Sequence, residues 1–269
     1  MFVAADVGLQ YTNAYTLVFI RFLLATAFVG VLVVFFDGRL GVTRELRRRS
    51  IWFLGGIDAV GFLLQYLGQS LTNASDATLL ANLAPVLVPL VAWRLSKEPL
   101  SKIHGILMML GLSGLVLMAS PNTSFKGGSV EGDMFLFGAS ASFAFFIVLS
   151  KRLKAVSTGS ALAVIVTITL FLAPAALLLG KPNPLSLSIV LNGWYSSIYM
   201  GIACTVIPMA LYLRGLRSIS SSESGTLLLL EALSGLTLAV SLLGQVPTGN
   251  ELVASATIVA ALTIGVVFK

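Results

Sequence analysis

Lysine and arginine fall in every second gap between the apolar stretches of this 269-residue chain, and no other feature constrains its fold as tightly. Of 17 Lys and Arg, fourteen occupy one alternating set of gaps. These are Arg39, Arg44, Arg47, Arg48 and Arg49; Arg94, Lys97 and Lys102; Lys151, Arg152 and Lys154; Arg214 and Arg217; and Lys269. The intervening gaps hold only Lys126 and Lys181, and Arg21 sits inside an apolar stretch. Loops on the cytoplasmic side of a membrane are enriched in cations, so the pattern predicts both a helix count and an orientation.

Composition agrees. Mean hydropathy is +0.97, 57% of residues are hydrophobic and 10% are charged, against roughly 25% charged in a soluble domain. The net charge of +6 does not point to nucleic acid, because the cations are confined to gaps and form no basic helix face. The single cysteine, Cys204, excludes an internal disulfide framework, and the single histidine, His104, argues against a His-ligated metal site. No cofactor or metal is expected. Asp6 interrupts the first apolar run, so a cleavable signal peptide is not expected either.

A hydrocarbon core of ~30 Å needs ~20 helical residues. Spans are predicted at 16–36, 51–71, 76–95, 102–119, 132–150, 158–179, 192–213, 223–243 and 250–268. The charge rule asks for one more crossing at the first run, Met1 to Leu9, which is too short to cross alone. The expectation is therefore ten helices, the first cut short at its start, with both termini cytoplasmic in the cell membrane. A nine-helix chain with its N-terminus outside is the alternative.

The chain also repeats itself. Asn73–Pro85 lies over Ser220–Ala232 at an offset of 147, and the register persists to Glu98-Pro99-Leu100-Ser101 against Gln245-Val246-Pro247-Thr248. A weaker match sets Phe2-Val3 against Phe146-Ile147. Two copies of a five-helix unit follow, at 1–120 and 131–269. Five is odd, so the second copy enters the membrane from the opposite side. Inverted repeats of this kind build many secondary transporters, with the substrate site between the copies near mid-membrane.

Several runs resemble a known family. Phe2-Val3-Ala4-Ala5, Gly8-Leu9, Thr16, Arg21-Phe22 and Ala25 are similar to the opening of an EamA domain of the drug/metabolite transporter superfamily. So is the stretch from Thr72–Ser75 through Leu83-Ala84-Pro85 to Lys97–Ser101. Gly132-Asp133, Ile147–Arg152 and Leu228–Glu231 resemble a second EamA domain. The resemblance implies an all-α integral membrane protein of ten helices in two inverted EamA units, with a central cavity and export or exchange of small metabolites. It also makes Arg21 the family's recurrent arginine. Asp6 stands where the family often has a basic or apolar residue, and Ala232 where it has proline.

Charges at membrane depth cost ~2.5–3.5 kcal/mol each, so they usually face a cavity or a partner. Asp6 and Arg21 lie at comparable depths on consecutive antiparallel helices and are expected to form a structural ion pair, with a substrate-anion role for Arg21 as the alternative. Asp58 and Glu231 each lie about eight residues inside helices of the same direction, ~12 Å deep. Burial favours the neutral form of an acid, which makes both candidates for proton coupling. Around them, Asp58, Gln65 and Gln69 share one helical stripe, as do Thr78, Asn82, Pro85 and Pro89. Ser234, Thr237 and Ser241 align with Glu223, with Glu231 at the edge, and Tyr199, Thr205, Pro208 and Tyr212 form a polar-aromatic set.

The expected substrate-binding residues are Asp58, Gln65, Asn82, Tyr199, Thr205, Glu231 and Ser234. No catalytic arrangement is present: there is no paired-His helix, no Gly-rich phosphate loop and no nucleophile elbow. Transport energy must then come from gradients. The expectation is a secondary-active exporter of a small polar metabolite, such as an amino acid or amine, working by alternating access. Its partners are that solute, the lipid bilayer and a second copy in a homodimer, with no nucleic acid. An uncoupled channel-like facilitator and an intramembrane enzyme are the alternatives.

Overall fold

The computed structural model describes residues 8–9, 12–71, 80, 83–98, 105–106, 108–110, 112–113, 116, 129–181, 198–225, 227–230, 234, 249, 252–253, 255–257 and 259–260. Among these, every regular element is helical and no strand occurs. In chain order they are α1 (Ala14–Leu40), α2 (Val42–Leu46), α3 (Arg49–Leu71), α4 (Ala84–Ser96), α5 (Val130–Arg152), α6 (Thr158–Leu179), a π-helical segment (Tyr199–Val206) and α7 (Ile207–Gly215). Ala14–Phe36, Arg49–Leu71, Val130–Arg152 and Thr158–Leu179, each 22 or 23 residues, are long and apolar enough to cross a membrane. At ~1.5 Å per residue they reach ~33–35 Å, slightly more than the hydrocarbon thickness.

The chain forms two compact units. One holds Met1–Ser70 and Leu149–Ser218, the other Leu71–Val148 and Ile219–Lys269, so each draws on both halves of the sequence.

In the first unit α1 packs along α6 and the π segment, and α2 also rests on α6. The packed faces are apolar: Leu17, Val18, Phe22, Ala25 and Val29 of α1 and Ala161, Ile165, Ile168 and Leu172 of α6 are buried. Polar residues on these faces bond locally. Thr169 Oγ1 donates to the Phe22 carbonyl (2.9 Å) and lies 2.7 Å from Thr26 Oγ1. At the Arg-rich end, Ser157 caps α6 by accepting from the Ser160 amide (3.0 Å). Buried Glu45 on α2 takes a hydrogen bond from Ser160 Oγ (2.9 Å) and pairs with Arg48 (2.7 Å), which also donates to the Leu153 carbonyl (2.8 Å).

Gly159 is where this end closes. A Cβ there would overlap the Leu40 carbonyl oxygen and lie 3.2 Å from its carbon. Backbone cannot swing aside as a side chain can, and overpacking of this kind costs ~1–3 kcal/mol. Gly159→Ala is therefore expected to lower the thermal midpoint of the purified protein by that equivalent, whereas Gly215→Ala, with open space around it, leaves it unchanged. Equal midpoints for the two variants would refute the close approach.

In the second unit Pro85 stands in the first turn of α4, where its missing N–H has no helical partner to lose. Lys97 ends α4 in the left-handed region at φ 54°. Helical residues 221–225 begin with a reciprocal cap: the Ser220 amide donates to Glu223 Oε2 (2.8 Å) and the Glu223 amide to Ser220 Oγ (3.0 Å). Glu98, from the first half of the sequence, accepts from the Ser222 hydroxyl of the second half (3.1 Å). Ser140 Oγ on α5 donates to the Leu80 carbonyl (2.6 Å).

The predicted spans at 51–71, 132–150 and 158–179 meet helices within two residues of those bounds. The 16–36 span extends to Leu40. The departure comes at 192–213, where the described part opens as a π-helix rather than an α-helix.

A buried arginine as the candidate functional site

Arg21 lies on α1 about seven residues, or ~10 Å, inside its start, and is 1% exposed. Three of its N–H donors are engaged within the first unit. Nε donates to Thr205 Oγ1 (2.8 Å), Nη1 to Tyr66 Oη (3.1 Å) and Nη2 to the Cys204 carbonyl (3.1 Å). Its guanidinium carbon stands 4.9 Å from the Phe62 ring centroid and 5.4 Å from that of Phe22. A charge-assisted hydrogen bond is worth ~1.5–3 kcal/mol and a desolvated cation–π contact ~2 kcal/mol. Together these offset the ~2.5–3.5 kcal/mol of holding a charge at membrane depth. Among the described residues no carboxylate comes within 4.0 Å of the guanidinium. The cation rests on neutral acceptors and aromatic faces.

The acceptors exist because of the π-helical segment. Pro208 has no N–H, so the Cys204 carbonyl four residues earlier loses its ordinary α-helical donor and is open to Arg21. The ladder widens instead: the Ile207 amide donates to the Ile202 carbonyl, five residues back. Thr205 Oγ1 donates to the Met200 carbonyl (2.7 Å), leaving its lone pair toward Arg21 Nε. Gly201 brings this segment close. A Cβ there would lie 3.0 Å from the Arg21 carbonyl oxygen and 3.3 Å from the Ala25 amide nitrogen. Tyr66, fully buried, accepts from Arg21 and turns its own hydroxyl to Met200 Sδ (3.7 Å). Residues from both halves of the sequence thus meet at one guanidinium.

Asp58 is 2% exposed on α3, one turn from Phe62. Gln65 and Gln69 continue the same face of α3 and are also buried, at 3% and 9% exposure. Gln65 Oε1 and both amide atoms of Gln69 have no hydrogen-bond partner. A buried polar atom left without a partner costs ~1–3 kcal/mol, so these amides are groups ready to bond a polar guest. Gln69 lines a cavity of ≈440 Å³ together with Leu67, Ser70, Thr12, Asn13 and Tyr15. From Asp58 to Gln69 the polar face runs eleven residues, ~16 Å along the helix.

Four expected site residues therefore share the first unit's interior or its polar face: Arg21, Asp58, Gln65 and Thr205. Tyr199 does not join them. It is 52% exposed while Thr205 is 3% exposed, and six residues at 100° each already set the two ~120° apart around a helix. Ser234 belongs to the second unit, is exposed, and donates to the Leu230 carbonyl (2.7 Å). Asp6, Asn82 and Glu231 lie outside the described residues. Tyr66 and the Cys204 carbonyl, both partners of Arg21, and Met200, which accepts from Tyr66 and Thr205, are absent from the residues expected from sequence. The available signals were Tyr66 at four residues from Phe62, and Pro208 at four from Cys204.

Known proteins resemble this chain in sequence and in fold. An uncharacterized transporter of Archaeoglobus fulgidus is 27% identical over 232 residues, covering 82% of this chain and 77% of that protein. The uncharacterized transporter YwfM of Bacillus subtilis is 28% identical over 164 residues, covering 60% of this chain and 54% of its own length. An uncharacterized transporter of Haemophilus influenzae is 30% identical over 138 residues, covering 51% of this chain and 80% of that protein. One crystal structure overlays with a TM-score of 0.79 at 22% identity, covering 98% of this chain and 91% of that one, a likeness of fold. The EamA-like transporter family matches twice, at residues 1–120 and 130–267. With apolar helices of spanning length and a family match over nearly its whole length, this chain is an integral membrane protein that belongs to the EamA-like transporter family.

Proposed function

We propose that this protein is a secondary-active exporter of a small polar solute carrying both an acidic and a basic group, such as an amino acid. The observation that carries the reading is the polar face from Asp58 through Gln65 to Gln69, with its unpartnered amides, beside a buried Arg21. An anionic group on the solute would meet the two N–H donors of Arg21 that Thr205, Tyr66 and Cys204 leave over. A cationic group would meet Asp58. The 440 Å³ cavity at Gln69 supplies an entrance of small-solute size.

The wider arrangement proposed is ten helices as two inverted five-helix repeats, 1–120 and 131–269, in the cell membrane with both termini cytoplasmic. The alternation of cations and the offset of 147 between Asn73–Pro85 and Ser220–Ala232 support it. Asp58 and Glu231, one per repeat, are the proposed proton carriers.

Protein reconstituted in liposomes should take up radiolabelled amino acids or amines from a pooled set, faster with an imposed pH gradient than without. Absence of flux for every pool would overturn the transport reading. Saturable flux indifferent to the gradient would instead identify an uncoupled facilitator. Labelling of single cysteines in the 37–50 and 120–131 loops should place them on opposite sides of the membrane, and a common side would overturn the inverted arrangement.

A further inference from the structure

A second cavity, of ≈380 Å³, lies away from Arg21, where α1, α6 and α7 meet. Phe28, Leu32 and Phe36 line it from α1, Leu162 from α6, and Ile207 and Leu211 from α7. Its polar residues, Arg39 and Thr158, belong to the Arg-rich end. None of the groups that engage Arg21 contributes to it.

Its dimensions match one acyl tail in one leaflet. Phe28, Leu32, Phe36 and Arg39 recur at helical spacing along α1, so the groove runs eleven residues, ~16 Å. Half of a ~30 Å hydrocarbon core is ~15 Å. An arginine at the helix end therefore stands at headgroup level when the phenylalanine at the other end reaches mid-membrane. Phe36, Ile207 and Leu211 are half-exposed or more, so the groove is open along the α1 and α7 side. Its floor, Leu162, is buried.

Cations predominate at that level, with Asp37 and Glu45 the acids of residues 37–49 against five arginines. Arg39, Arg44, Arg47 and Arg49 are all exposed, while the nearby carboxylate of Glu45 is buried and paired with Arg48. Clustered arginines beside a membrane helix attract anionic headgroups at ~1 kcal/mol each. We propose that this groove is a binding site for an anionic phospholipid, one acyl tail lying along Phe28–Phe36 and the headgroup phosphate held by Arg39.

Native mass spectrometry of the purified full-length protein, titrated with phosphatidylglycerol and phosphatidylethanolamine of identical tails, tests this. The wild type should hold phosphatidylglycerol at least about tenfold more tightly, which corresponds to ~1.4 kcal/mol. Arg39→Gln should erase the preference, and Ala210→Trp, which fills the groove, should weaken both lipids. Should Ala210→Trp fail to fold, Leu211→Gln at an exposed position serves in its place, with the same loss expected. Equal retention of the two lipids by the wild type would overturn the proposal, as would unchanged binding in the groove variants. Dimerisation that vanishes in the groove variants would assign the groove to a second copy of the chain and overturn it too.

Discussion

Replacing Arg21 with lysine will lower the transport rate by roughly tenfold to a hundredfold even though the charge is kept. The guanidinium reaches three acceptors on three side chains or carbonyls at once, Thr205, Tyr66 and Cys204. An ammonium is a point charge on a flexible stem and cannot hold that fork. Losing one or two charge-assisted bonds removes ~1.5–3 kcal/mol apiece, and ~1.4 kcal/mol is a factor of ten. Arg21→Gln, which also removes the charge, should do at least as much damage. The measurement is the initial rate in proteoliposomes at matched protein content, alongside the thermal midpoint in detergent. A lysine variant that transports at the wild-type rate with an unchanged KM would reduce Arg21 to a packing element.

Asp58→Asn should abolish the response to a pH gradient while leaving downhill exchange of solute in place. Asparagine keeps the shape and the hydrogen-bonding atoms of the acid but cannot load and release a proton. Counterflow and gradient-driven uptake, measured on the same liposomes, separate the two effects. Gradient-driven accumulation that survives in Asp58→Asn would remove Asp58 from the coupling path.

Much of this was legible in the chain, for identifiable reasons. Helix α6 has the predicted limits because Ser157 caps its start and Pro182 follows two residues after Gly180, where the chain turns extended; both signals are local. Arg21 was conspicuous as a cation within an apolar stretch. Its partners were not, because they come from 45, 183 and 184 residues away and no local pattern encodes such pairing. Tyr199 enters the expected site as one of the polar and aromatic residues of 192–213, and its exposure sets it apart from buried Thr205. Pro208 belongs to the same polar-aromatic set, but its effect on the hydrogen-bond ladder of the preceding turn shows only in the structure. The groove at Phe28 and Leu211 was invisible to the sequence, since its walls come from three separate helices.

Pro208 has one more consequence. By withholding a donor from Cys204, it turns a flaw in one helix into a docking point for its neighbour's guanidinium. A slide of α1 against that segment by a single turn, ~5.4 Å, would strand a carbonyl oil-side and an arginine with nothing to grip. The two helices should accordingly travel as one rigid piece through the working cycle, with any flexing displaced to joints elsewhere in the molecule.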